Sequence, residues 1–310
     1  MIQIYRSFLG AEKLSQIEKG CWVHCVQPDS DEVMALQHEF HVPQEVIQDI
    51  LDNDELPRYE VDDDWSMLIM RIPVEGSITG MNYYTIPLGI FMMEDYTVTI
   101  CAVPNNVLPI MQPSVYRNSN QPVYDVINFA LKLFIRSANS FMYYLRQINQ
   151  HTSLIEKEIE KSIRNKELNK MLKLEKCLVF FITALKSNEM VLAKFKNSKR
   201  TVFSETNEDL IEDAIIETKQ AIEMAQIYSN IQSGMMDTFA SVISNNLNVV
   251  MKQMTSVSII LMIPTLIASF FGMNVPNGFE EHRFAFIGIL ILSVLMSAGG
   301  FLLSKKRNWF

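Results

Sequence analysis

From Gln253 to Phe279 the chain carries no Asp, Glu, Lys or Arg, and from Phe284 to Leu303 a further twenty residues are uncharged. A helix needs about 20 predominantly apolar residues to cross the hydrocarbon of a bilayer. The two runs therefore predict membrane helices, roughly over Val250 to Phe271 and Phe284 to Leu303, joined as a hairpin by about residues 272 to 283. Lys252 precedes the first span, and Lys305, Lys306 and Arg307 follow the second. Basic residues gather on the cytoplasmic side, which places both chain ends there and the loop outside. A buried hairpin in a soluble protein is the alternative, and basic residues at its outer flanks argue against it.

Turn-forming residues divide the rest. Residues 123 to 263 hold no proline and one glycine, Gly234. A stretch of that length without breakers is expected to be long helices. Leu145, Ile148, Ile155 and Ile159 recur as a packing stripe among Glu156, Lys157, Glu158, Glu160 and Lys161. Breaks are expected near Asn165 and across Asn197-Ser198, where polar residues cluster. The expected organisation is a domain over 1–120, a long-helix bundle and stalk over 121–248, and the hairpin over 249–310.

Residues 1–120 read as a small α/β domain. Cys21 to Val26 predicts a strand, and Pro28-Asp29-Ser30 a helix start. Pro43 suits the first turn of a second short helix. Ser66 to Ile72, Thr85 to Phe91 and Thr97 to Val103 are rich in aliphatic and β-branched residues between turns, as strands are. Between Asp29 and Asp64 thirteen acidic residues accompany one base, Arg58. They form either a solvated acidic surface or a region that meets cations.

The net charge of −8 speaks against nucleic acid as a partner. Glu12 and Lys13 interrupt the start before any apolar run of signal-peptide length. The four cysteines have no metal-ligand spacing and are expected as reduced thiols. Cys21 and Cys25, with Val23 between them, suit the core face of a strand better than zinc. His38 and His41, three apart on a short helix, have no evident third ligand. Asp62-Asp63-Asp64 is expected as a solvated turn. No phosphate loop, HExxH or GxSxG occurs, so no enzyme or nucleotide-driven pump is expected.

The first span has a polar face. Asn248, Met251, Thr255, Ser258, Met262, Thr265 and Ser269 recur at spacings of three and four and so share one side of a helix. Such a stripe can mediate helix packing, or it can line a water-filled pore. One stripe per subunit closes a pore only in a symmetric ring. The span ends in FFGMNVPNG, where Gly272, Met273 and Asn274 turn the chain with amide oxygens and no fixed charge. Mg²⁺ gives up its water reluctantly, and a neutral ring of such groups can hydrogen-bond a hydrated ion without stripping it.

Gly272-Met273-Asn274 after an apolar helix, then a short loop, a last span and a basic end, resembles the CorA family of divalent-cation transporters. The resemblance covers the whole chain. It includes His41-Val42-Pro43, Asp49-Ile50-Leu51 and Leu56-Pro57-Arg58 early on, and Asn248 to Asn274 without a gap. It implies a homopentamer with a cytoplasmic α/β funnel, a long stalk helix continuing into the inner pore helix, and an outer second helix. It further implies that Gly272 and Asn274 capture the hydrated ion, that Asn248 forms a polar ring, and that Met251, Met254 and Met262 form apolar constrictions. Asp213 falls on the family's inter-subunit cation-sensing carboxylate, Asp49 on its partner, and Asp237 on an acidic position nearer the membrane. Mg²⁺ is then both cargo and regulator, with Co²⁺ or Zn²⁺ as other cargoes. Phe271 stands where the family usually has Tyr, Pro264 falls one place late, and Glu280-Glu281 gives no clear Pro-Glu pair; these departures bear on ion selectivity more than on fold. The expected function is passive, channel-like uptake of divalent cations across the inner or plasma membrane. The alternatives are a Zn²⁺ or Co²⁺ transporter of the ZntB-like branch and a non-conducting membrane-anchored sensor.

Overall fold

The computed structural model describes residues 1–8, 12–78, 81–108, 125–161, 165–198, 203–273, 278 and 284–307. These fall into two compact units, 1–233 and 234–310.

The first unit is built on a seven-stranded mixed sheet. Its strands are β1 (Ile2–Tyr5), β2 (Lys13–Leu14), β3 (Cys21–Val26), β4 (Arg58–Val61), β5 (Trp65–Ile78), β6 (Met81–Met93) and β7 (Tyr96–Cys101), in the order β2-β1-β3-β7-β6-β5-β4. Among the described residues β3 and β7 pair in parallel and every other pair is antiparallel. Alternate residues of a strand face opposite sides, and this sheet is buried on both. Cys21, Val23 and Cys25, with Met67, Ile69, Val98 and Ile100, pack against α1 (Ser30–His38) and α2 (Gln44–Leu51). Trp22, Leu68, Met70, Ile86, Leu88 and Ile90 face α3 (Val126–Lys161), α4 (Asn165–Lys196) and the start of α5 (Glu205–Phe271). The result is a three-layer α/β/α arrangement.

The expected strands are present, two of them longer than the sequence suggested. The expectation missed β1, β2 and β4, which are short and flank the central strands. Asp29 caps α1 through a reciprocal capping box with Glu32. Pro43 stands at the N-cap of α2, one place before the first helical turn. The stripe Leu145, Ile148, Ile155 and Ile159 is buried as expected. α4 starts at Asn165 and ends just before Asn197-Ser198.

Two contacts shape the neighbourhood of Asp49. Gly89 of β6 leaves room for Ile50: a β-carbon there would stand 2.2 Å from Ile50 Cδ1. Beyond the start of β4, the edge of β5 is covered by a side chain. Asn188 of α4 accepts from the Arg71 backbone N–H at 2.8 Å and donates to its carbonyl at 2.8 Å.

The second unit comprises residues 234–271 of α5 with α6 (Ala285–Lys306). Both helices are long and apolar enough to cross a membrane, and their spans are almost entirely exposed on the single chain.

Candidate functional site

Within the second unit, α5 turns one side toward α6. Ser256 is buried on that side, and Ile260, Ile263, Pro264 and Ile267 are half-buried. Gly300 of α6 lies close enough that a β-carbon would meet Ile263 and Ile260 at 3.5 and 3.7 Å. At about 100° per residue, the stripe of Asn248, Met251, Thr255, Ser258, Met262, Thr265 and Ser269 is centred roughly 150° around the helix from this packing face. All seven are exposed, as is Met254. Met262 retains 65% of its accessible surface. The hairpin thus packs through one side of α5 and, among the described residues, leaves the polar and methionine side exposed.

The stripe hydroxyls have a defined polarity. Ser258 donates to the Met254 carbonyl at 2.9 Å, and Thr265 to the Leu261 carbonyl at 3.0 Å. A hydroxyl that gives its proton to its own helix keeps only acceptor lone pairs to present outward. Acceptors of this kind suit the outward-pointing protons of a hydrated cation.

Pro264 has no N–H and so leaves the Ile260 carbonyl without its helical donor. Ser297 of α6 fills the gap, its Oγ standing 3.4 Å from that oxygen. Sequence reading did not pick out Ser297. The available signal was a proline in the first span, which requires a donor for the carbonyl four residues earlier. At the end of α5 the Gly272 N–H still bonds the Ala268 carbonyl at 2.9 Å, and Met273 is exposed. Asn274 and Glu280-Glu281 lie outside the described residues.

The carboxylates assigned to sensing occupy different surroundings. Asp49, on α2, is held by Arg58 of β4 at 2.5 Å. Arg58 also binds Glu60 at 2.7 Å and pairs with Glu55. Burial disfavours the Arg58 charge, but the Asp49 hydrogen bond and the charges of Glu60 and Glu55 outweigh it and raise its pKa above the ordinary value. The lone base of the acidic stretch is therefore a hub for three carboxylates. The spacing carried this signal: Glu55 and Arg58 are three apart, and Arg58 and Glu60 share one face of a strand. Asp213 and Asp237 both lie exposed on α5. No group of three or more His, Cys, Asp or Glu able to hold a metal occurs among the described residues.

The weaker metal signals resolve into packing. All four cysteines are buried and free, and burial pushes the Cys25 thiol up to about 12. His24 is buried beside Thr99, whose Oγ1 accepts from Trp22 Nε1 at 2.9 Å and stands 3.0 Å from His24 Nδ1. Burial, with a smaller effect of the N-terminal ammonium, lowers His24 to about 4. His41 is not on the helix with His38: α1 ends first, and His41 has a left-handed backbone with φ 46°.

The model of the family described as CorA-like Mg²⁺ transporter proteins matches residues 18–306. A cobalt/magnesium transport protein CorA from Methanocaldococcus jannaschii is 25% identical over 281 residues, covering 89% of this chain and 87% of that protein. Another, from Thermotoga maritima, is 20% identical over 294 residues, covering 90% and 80%. The complete CorA magnesium transporter structure from M. jannaschii superposes with a TM-score of 0.85 at 22% identity, over 100% of this chain and 99% of that one. The cytoplasmic domain of ZntB from Vibrio parahaemolyticus gives 0.59 at 14% identity, over 80% of this chain and 98% of that one.

Proposed function

The chain belongs to the CorA-like Mg²⁺ transporter family, and from that premise we propose that it is a passive channel for divalent cations with Mg²⁺ as its principal cargo. In this reading residues 1–120 form the cytoplasmic domain, 121–248 the bundle and stalk, and 249–310 the transmembrane hairpin. Five copies surround one pore in the inner or plasma membrane, with both chain ends in the cytoplasm. The supporting observation is the exposed stripe of α5, which runs from Asn248 to Ser269 on the side turned away from α6. A polar helix face in hydrocarbon needs either protein or water against it, and a symmetric ring supplies both.

The chemistry follows from the groups in that stripe. Gly272, Met273 and Asn274 form the neutral mouth, which holds Mg²⁺ with its waters attached. Lone pairs of Ser258 and Thr265 then accept from those waters. Met251, Met254 and Met262 form apolar rings that close by dewetting, and Asn248 opens to the cytoplasm. A divalent ion moving inward gains about 4.6 kcal/mol per 100 mV, so the membrane potential alone drives uptake. Asp49 of one subunit and Asp213 of its neighbour hold a regulatory Mg²⁺ that keeps the ring closed, with Asp237 a further acidic position nearer the membrane.

Purified protein in liposomes loaded with a Mg²⁺-sensitive dye tests the reading. Potential-driven influx of Mg²⁺ is expected, and parallel Co²⁺ and Zn²⁺ measurements rank the cargoes. A protein that inserts and assembles but passes no divalent cation would be a membrane-anchored sensor instead.

A further inference from the structure

Gly234 is a costly residue in its place. It is the one glycine between residues 123 and 263, and it lies inside the 67 residues of α5. A glycine in a helix interior lowers the helical population about fivefold relative to alanine. The usual reasons for a glycine do not apply. A β-carbon at Gly234 would meet nothing within 4 Å, and no left-handed backbone requires a glycine there. Neither packing nor conformation explains the residue, so its effect on the helix itself remains.

The glycine stands where the support of α5 changes. Up to Ser233 the helix belongs to the first unit, and from Gly234 to the second. Before the glycine α5 is tied to α4 along its length. Lys196 pairs with Glu212 at 3.3 Å and Lys219 with Glu189 at 4.0 Å. The series ends with Gln232, which donates to the Met171 carbonyl at 2.6 Å, and Ser233, which donates to Glu175 at 3.2 Å. Gly234 follows at once, and Ser-Gly pairs are recurrent sites of helix bending.

The hydrogen bonding at this point is also divided. Thr238 donates its hydroxyl to the Gly234 carbonyl at 2.9 Å, so that oxygen serves a side chain as well as its own helix. Such bonds bend helices slightly. Thr218, Ser256, Ser258 and Thr265 make the same bond elsewhere in α5, but to Ala214, Lys252, Met254 and Leu261. Among the described residues the bond coincides with a glycine at Gly234 alone. Pro264, the other breaker in α5, is braced by Ser297.

We propose that Gly234 is the flexure point of α5, where the helix bends to pass movement of its cytoplasmic part to the pore. Asn248 lies about 14 residues, or about 21 Å, beyond it. A bend of about 10° at Gly234 displaces Asn248 sideways by about 4 Å, enough to change the bore of a ring of such helices. The coupling to the pore rests on the proposed channel reading; the flexure does not.

Hydrogen exchange of the full-length protein in liposomes, read by mass spectrometry over residues 226–233, 234–241 and 242–248, measures the flexure. Helix amides exchange through local opening. Protection over 234–241 should be about fivefold lower than over either neighbour. Gly234→Ala, which the open space accommodates, should raise it at least threefold and leave the flanking segments unchanged. Thr238→Val keeps the side-chain shape without the hydroxyl and should raise it about twofold. Uniform protection from 234 through 248 would assign the opening to lost lateral support and overturn the flexure. So would an unchanged profile in Gly234→Ala. Mg²⁺ influx is measured on the same preparations, and Gly234→Ala should lower it at least threefold. Influx equal to wild type in a variant with raised protection would overturn the coupling. A protein that passes no divalent cation would remove the channel reading and the coupling with it, while the exchange profile still decides the flexure.

Discussion

Ser297 on α6 donates to the Ile260 carbonyl on α5, the acceptor that Pro264 deprives of its helical partner. Water cannot replace a missing donor in hydrocarbon, so this bond ties the two helices at a defined height. Ser297→Ala should cost roughly 0.6 kcal/mol, with an upper bound near 2 kcal/mol. Pro264→Ala restores the in-helix donor, and Ser297→Ala in that background should cost almost nothing. Detergent-challenge thermal stability of the four proteins gives the coupling. Additive losses would show that Ser297 acts by packing alone.

Gly89 and Ile50 are matched in the first unit. Gly89→Ala would press a methyl into a fully buried Ile50 side chain. The expected loss is about 1 to 3 kcal/mol, as for other overpacked cores. Ile50→Ala should recover part of it, making the pair less than additive. Equilibrium unfolding measured on all three variants checks the coupling.

The buried His24 makes stability depend on pH in a known direction. Its folded pKa is about 4 against an ordinary 6.5. Between those values the unfolded chain binds a proton that the folded one does not. The stabilisation is fully present above 6.5 and fades as pH falls toward 4, by about 3 kcal/mol over the window. Fluorescence of the adjacent Trp22 during thermal unfolding at pH 7 and pH 5 reads it. His24→Gln should flatten the slope, and an unchanged slope would assign it to other groups.

The residues proposed to line the pore should separate into two phenotypes. If Met262 forms an apolar ring, Met262→Ser should wet it and raise basal leak severalfold. In the proposed channel Asn274→Ala removes the carboxamide assigned to hydrated Mg²⁺, and it should abolish influx without changing oligomer size. Flux in liposomes, with oligomer size determined on the same preparations, distinguishes them. Leak unchanged by Met262→Ser would move the constriction to Met251 or Met254.

The sensing assignment has its own test. Under the proposed Asp49–Asp213 pairing, Asp213→Lys would place a permanent cation opposite the neighbour's Asp49 and should keep the subunit interface protease-resistant in EDTA. Wild type should become cleavable once Mg²⁺ is removed. Because Arg58 already occupies part of Asp49, Arg58→Gln should lower the Mg²⁺ concentration giving half-protection by roughly twofold to fivefold. Identical EDTA cleavage of wild type and Asp213→Lys would discard the Asp49–Asp213 model.

Much of the architecture is legible because it depends on local, repetitive signals. Absence of charge marks α6 and the end of α5, and absence of proline and glycine marks the helices before them. Strand β3 is legible through the alternation of Cys21, Val23 and Cys25. Strands β1, β2 and β4 are not, because two to four residues at a sheet margin carry too little pattern. The candidate site divides the same way. The stripe from Asn248 to Ser269 is a helical period, and the sequence displays it. Arg58 on Asp49 and Ser297 on Ile260 are pairings between elements, and one-dimensional spacing only hints at them.

Asn188 also bears on how copies of this chain could join. By bonding both backbone groups of Arg71, it occupies the β5 edge just past the four residues that β4 pairs. The outermost strands are themselves only two and four residues long. A neighbour offering a strand to either of them would find only a short ladder to extend. Copies that join through helix surfaces instead would be able to turn against one another without breaking a shared sheet.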